Sequence, residues 1–118
     1  VADDDYLYLI TTGRRSGQPH RIEIWYADAG DGSTVYLLSG GGDRSDWVRN
    51  LQADPRCETS IGAPDAQRRP SIARLLHDDP ERSAVARQLV FAKYQPRFDG
   101  DLEDWRERSL AVAIELAP

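Results

Sequence analysis

The segment Thr11-Thr12-Gly13-Arg14-Arg15-Ser16-Gly17-Gln18-Pro19 constrains the fold most, because it is a glycine-bracketed turn set between two strand-like runs. The run before it, from Tyr6 to Thr12, is β-branched and aromatic, and the run after it, from His20 to Tyr26, alternates strictly. Gly13 and Gly17 allow positive φ and close backbone approach, so a hairpin is expected with two guanidinium groups at its tip. Such a turn is shaped to hold an anion. The bland alternative is a solvated hairpin that carries Arg.

A second segment has the same flavour. The strand-like run Val35 to Leu38 leads into Ser39-Gly40-Gly41-Gly42-Asp43-Arg44-Ser45 and then Asp46-Trp47-Val48-Arg49-Asn50-Leu51. Trp47, Val48 and Leu51 repeat at helical spacing, Asp43 or Ser45 can cap the helix, and Asp54-Pro55 ends it. Glycines at a helix start expose backbone N–H groups, a seat for phosphate or an electron-rich ring edge. Read blandly, three glycines are a connector.

Strands are expected near 6–12, 20–27, 34–39, 56–61, 70–77 and 109–117, with helices near 45–53 and 80–94. Asp79 caps the second helix, Pro80 suits its first position, and Val85, Leu89 and Ala92 mark its buried face. The polar stretch 95–104 reads as a loop with a short helical turn around Trp105. Six strands and two helices make a mainly β, α+β domain, a partly opened barrel spanning residues 1–118 as one unit.

Net charge is −5 and no basic run exceeds two residues, which argues against a nucleic-acid surface. Fourteen of the fifteen basic residues are Arg, the side chain that grips phosphate and carboxylate bidentately, although base composition can give the same bias. Cys57 is the single cysteine, so no internal disulfide forms, and burial as a small hydrophobe is its expected role. With only His20 and His77 besides, neither zinc nor triad chemistry is supported, and no metal is expected. There is no signal peptide, long apolar run or lipidation motif, which points to the cytoplasm and to no integral membrane segment.

In T-T-G-R-R-S-G-Q-P (Thr11 to Pro19), Trp25-Tyr26, S-G-G-G (Ser39 to Gly42), D-W-V-R-N-L (Asp46 to Leu51) and Asp54-Pro55, the chain resembles the deazaflavin-dependent nitroreductase family. That family is a branch of the flavin/deazaflavin oxidoreductases built on the split β-barrel of FMN-binding type. The resemblance covers most of residues 6 to 62 and continues more loosely to the apolar run Leu110 to Leu116. It implies an enzyme in which reduced coenzyme F-420, an 8-hydroxy-5-deazaflavin with a phosphate and an oligoglutamate tail, donates hydride to a small electron-poor molecule. Quinones, nitro compounds and activated alkenes are the substrate classes. No catalytic side chain is required, because the hydride comes from the cofactor.

On that resemblance, Arg14 and Arg15 face the anionic groups, helped by Ser16 and Gly17, while Ser39, Gly40 and Gly41 approach the ring or its ribityl chain. Trp25 lines the ring, or packs in the core or at an interface; Asn50 reaches the cofactor, or is an ordinary solvated helix residue. His20 is either a surface residue or a proton donor. Some family members carry Lys where this chain has Gly40, and several tyrosines where it offers Tyr94, Phe98 and Trp105. The chain begins at Val1 rather than Met, and in the family a preceding stretch can carry a helix over the pocket. Alternatives are an FMN-dependent oxidoreductase on the same barrel and a non-catalytic binder of cofactor, lipid or a haem-like ligand. A homodimer is also expected, since split barrels often pair through a sheet face.

Overall fold

A computed structural model describes residues 4–117. Its strands are β1 (Leu7–Thr12), β2 (Pro19–Ile24), β3 (Ala27–Asp28), β4 (Thr34–Ser39), β5 (Arg56–Ile61), β6 (Arg69–Leu75) and β7 (Leu110–Leu116). The helices are α1 (Asp46–Ala53), α2 (Pro80–Tyr94) and α3 (Glu103–Arg108). All seven strands lie in one antiparallel sheet, in the order β2-β1-β5-β6-β7-β4-β3.

The two edge strands, β2 and β3, are consecutive in the chain and separated only by Trp25 and Tyr26. The sheet must therefore curl until its edges approach at that corner, which makes a partly opened barrel whose two edge strands are not paired with each other. This corrects the single strand expected over 20–27. The alternation through Ile22, Ile24 and Tyr26 is real, but Tyr26 leaves β1 behind and its N–H donates to the Tyr94 hydroxyl at 3.0 Å. Ala27 then pairs with Tyr36 on β4.

Side-chain alternation divides the apolar residues into two cores. Leu7, Leu9, Val35, Leu37, Val112, Ile114 and Leu116 fill the barrel, with Leu51 and partly buried Trp47 of α1 closing one end. Tyr36, Leu38, Ala111 and Ala113 point outward and are covered by Ala86, Val90 and Tyr94 of α2. β4 is consequently buried on both faces.

The buried face of α2 differs in part from the one expected: of Val85, Leu89 and Ala92, Leu89 packs partly buried against the outer core. Ser83, Ala86, Val90 and Tyr94 are buried, whereas Val85 is 51% exposed and Ala92 is exposed too. The sheet beneath presents Ala111 and Ala113, so the helix approaches closely on its small residues. Asp79 caps it as expected, accepting from the Arg82 N–H at 3.2 Å, with Pro80 in its first turn. No side chain caps α1. The Ser45 hydroxyl lies instead 2.8 Å from the Ser39 hydroxyl.

Burial pushes the Cys57 thiol up to about 12 and the Tyr94 phenol up to about 12, so Cys57 is a packing residue. In the unfolded chain these groups ionise near 9.0 and 10.0. Their contribution to stability is complete below the unfolded values and is lost as pH rises toward the folded ones. The expected result is a lower thermal midpoint at about pH 10.5 than at pH 7, with a smaller drop in Cys57→Ala. Equal midpoints at the two pH values would contradict this account of the burial.

Candidate functional site

The β1–β2 turn is rigid because its own backbone holds it. The Gly13 N–H donates to the Gln18 carbonyl and the Gly17 N–H to the Gly13 carbonyl, both at 2.8 Å, and Gly17 has φ +72°. The Gly17 amide is therefore spent within the turn and is not open to an anion. Ser16 Oγ likewise accepts from the Gln18 N–H at 3.1 Å. A side chain at Gly13 would fall 2.6 Å from His20 Nε2, so His20 lies over the turn.

The two arginines differ sharply. Arg14 Nη1 donates to Asn50 Oδ1 at 2.9 Å and Nη2 to Asp46 Oδ1 at 3.2 Å, while its backbone N–H also reaches Asn50 Oδ1 at 3.2 Å. Arg15 is exposed and has no hydrogen-bond or ion-pair partner among the described residues. Asn50 is buried, and its Nδ2 donates to Thr11 Oγ1 at 3.1 Å. It is not a solvated residue: it is the brace that fixes the turn to α1. With Gly13, Ser16, His20 and Asp46, these residues line a cleft of about 280 Å³.

The glycine loop leads away from this cleft. Ser39 is buried and its hydroxyl donates to the Gly42 carbonyl at 2.9 Å, so it shapes the loop from within. Gly42, at φ +62°, is the position that needs glycine for its backbone. A side chain at Gly41 would fall 2.7 Å from Ser45 Oγ, so Gly41 keeps the loop compact. Gly40 faces outward: a Cβ there would sit 3.0 Å from Trp105 Nε1.

Trp105 belongs to a second, larger cleft. Trp25 stacks on Tyr94 with centroids 4.3 Å apart and planes within 2°, and Trp105 and Phe98 stand at 87° and 78° to it. Trp25, Phe98 and Trp105, together with Tyr6, Ile24, Leu38 and Leu102, line about 560 Å³, and among the described residues its charged lining groups are Glu23 and Asp101. Trp25 thus lines a cleft and packs on Tyr94 at once. In the sequence Phe98 and Trp105 stand only as a sparse substitute for tyrosines, because nothing local shows that the 95–108 segment packs against Trp25.

The loop Ser39–Ser45 joins the clefts, with Gly40 against Trp105 at one end and, just past it, Asp46 against Arg14 at the other. A cavity of about 370 Å³ beside Thr34, Thr59 and Arg69 brings none of the expected site residues together. Among the described residues no group of three or more His, Cys, Asp or Glu is placed to hold a metal ion, and no helix is long and apolar enough to cross a membrane.

The family described as F420H(2)-dependent quinone reductase matches residues 2–116. An F420H(2)-dependent quinone reductase of Mycobacterium tuberculosis is 39% identical over 57 residues, which cover 48% of this chain and 38% of that protein. The matched stretch therefore spans well under half of the curated relative. Among solved structures, one described as an F420 reductase is 19% identical with a TM-score of 0.63, covering 99% of this chain and 90% of that one. Another, described as a domain-swapped dimer, is 19% identical with a TM-score of 0.71, covering 96% and 81%. The expected split barrel is the observed fold, with seven strands and three helices in place of six and two.

Proposed function

The chain belongs to the F420H(2)-dependent quinone reductase family, and from that premise we propose that it is a reductase that binds reduced coenzyme F-420 across its two joined clefts. The observation that carries this reading is the Ser39–Ser45 loop. It leads from an aromatic cleft to a cleft with an unengaged guanidinium, as a ligand with a flat ring and an anionic tail requires. At about 560 Å³, the aromatic cleft is of ordinary size for a cofactor or drug-sized ligand.

When bound, the deazaflavin supplies hydride to a small electron-poor acceptor: a quinone, a nitro compound or an activated alkene. The residues of this chain bind, orient and keep water out. Arg15 offers its guanidinium to the phosphate or glutamate carboxylates, and Arg14, held by Asp46 and Asn50, sets the turn that presents it. Trp25, clamped on Tyr94, presents a ring that is already ordered, while Phe98 and Trp105 wall off solvent.

Titration with F-420 and with FMN tests the cofactor. Tighter binding of F-420, with oxidation of its reduced form by members of a quinone panel, is the expected result. Equal or tighter FMN binding would replace this reading with an FMN-dependent oxidoreductase.

We also propose a homodimer. The outer face of β1, β5 and β6 is not covered by α2, and Ile72 there is 46% exposed. Sedimentation at tens of micromolar, roughly where weak dimers assemble, should give twice the chain mass. A monomer there contradicts the proposal.

A further inference from the structure

The aromatic cleft has an electrostatic character that the cofactor reading does not require. Its rings are Tyr6, Trp25, Phe98 and Trp105, and its charged lining groups are the carboxylates of Glu23 and Asp101. No Lys or Arg lines it among the described residues. The nearby bases are engaged elsewhere: Arg97 pairs with Asp5 at 2.5 Å, Lys93 donates to the Tyr26 carbonyl at 3.0 Å, and Arg106 lies over Phe91 and bonds Glu107. Arg21 shares the outward side of β2 with Glu23 but does not reach the lining.

The rings meet at a corner rather than in a stack. Phe98 and Trp105 are both nearly perpendicular to Trp25, and all three rings line the same volume. Aromatic faces carry negative quadrupole potential, and a cation among several of them gains from each. Glu23 is held at the rim by Tyr8, whose hydroxyl donates to its Oε2 at 2.7 Å, so that carboxylate has a fixed position. Rings and carboxylates favour the same sign of charge.

We propose that this cleft is a binding site for cationic aromatic molecules, selecting a positively charged flat heterocycle over its neutral isostere. Binding depends on this chain's own residues alone. As a rule for choosing the electron acceptor, it rests on the deazaflavin reading: a cationic aromatic acceptor is then reduced at lower concentration than an uncharged one of equal size.

Equilibrium dialysis of the full chain against N-methylquinolinium and, separately, 2-methylquinoline at pH 8, where the latter is uncharged, tests the site without any cofactor. The expected result is one saturable site per chain, with the cation bound about tenfold more tightly. The double variant Glu23→Gln, Asp101→Asn, with its fold checked by circular dichroism, should reduce that ratio to about threefold or less, leaving the ring contribution. Trp105→Leu should weaken the cation more than the neutral probe. Tyr8→Phe, which leaves both carboxylates in place, should preserve most of the preference. Equal binding of the two probes, or an unchanged ratio in the double variant, overturns the proposal. Because F-420 is absent from the dialysis, failure of the cofactor reading and failure of this one are told apart.

Discussion

Asn50→Leu is expected to lower stability by about 2–3 kcal/mol, because one amide serves three partners and leucine serves none. Asn50 is 3% exposed and Thr11 is 2% exposed, so water cannot replace the lost donor at Thr11 Oγ1. Arg14 is partly exposed and recovers some hydration, which keeps the cost below the sum of three bonds. For a chain of this size the thermal midpoint should fall by roughly 10 °C. Asn50→Asp should recover part of the loss. It keeps an acceptor for Arg14, and the Thr11 hydroxyl can rotate to donate to the new carboxylate. Thermal and urea melts of the two variants check this, and a leucine variant within about 0.5 kcal/mol of the parent would remove Asn50 from its bracing role.

That brace shows where the sequence stops being informative. The hairpin turn, the glycine loop and the strand runs are written in local residue choice, and they lie where Gly13, Gly17 and Asp54-Pro55 say they should. The partners of Arg14 lie 32 and 36 residues away, so nothing near Arg14 shows that it is engaged while Arg15 is not. The buried face of α2 is hidden from the sequence for a related reason. Periodicity of large apolar residues finds a helix side that fills space, whereas α2 lies on an alanine-lined strand and buries Ser83 and Ala86. Likewise, three consecutive glycines do not reveal which is conformational. The fold answers with Gly42 for backbone, Gly41 for compactness and Gly40 for contact with Trp105.

The aromatic cleft was legible only in fragments. Trp25 stands out because it belongs to a motif that carries the resemblance, but its companions come from α2, the turn after it and α3, and they meet only because the sheet curls at Trp25–Tyr26. Barrel closure is a property of strand order, and strand order is not written in any one segment.

Arg15→Gln is the second large effect expected, and it falls on binding rather than on folding. The side chain is exposed and supports no other group among the described residues, so its loss should leave the melting curve in place. A charge-assisted contact to phosphate or carboxylate contributes about 1.5–3 kcal/mol. After discounting for exposure, roughly 1–2 kcal/mol remains, a five- to thirtyfold loss of affinity. Arg14→Gln should differ in kind: it releases Asp46 and Asn50, lowers stability, and weakens binding by loosening the turn. In neither variant should turnover at saturating cofactor change much, since contacts remote from the reacting carbon stabilise ground and transition states alike. If the glutamate tail is the partner of Arg15, a tail-less precursor binds both forms equally; if the phosphate is, the loss is independent of tail length.

The most direct test of the two-cleft seat is therefore the dissociation constant of F-420 for the parent chain and for Arg15→Gln, measured side by side at low salt and again at high salt. The account predicts weakening by about tenfold at low salt, shrinking as salt screens the contact. Parent-like affinity of Arg15→Gln at low salt would contradict it and leave the Gly13–Gly17 turn a solvated hairpin.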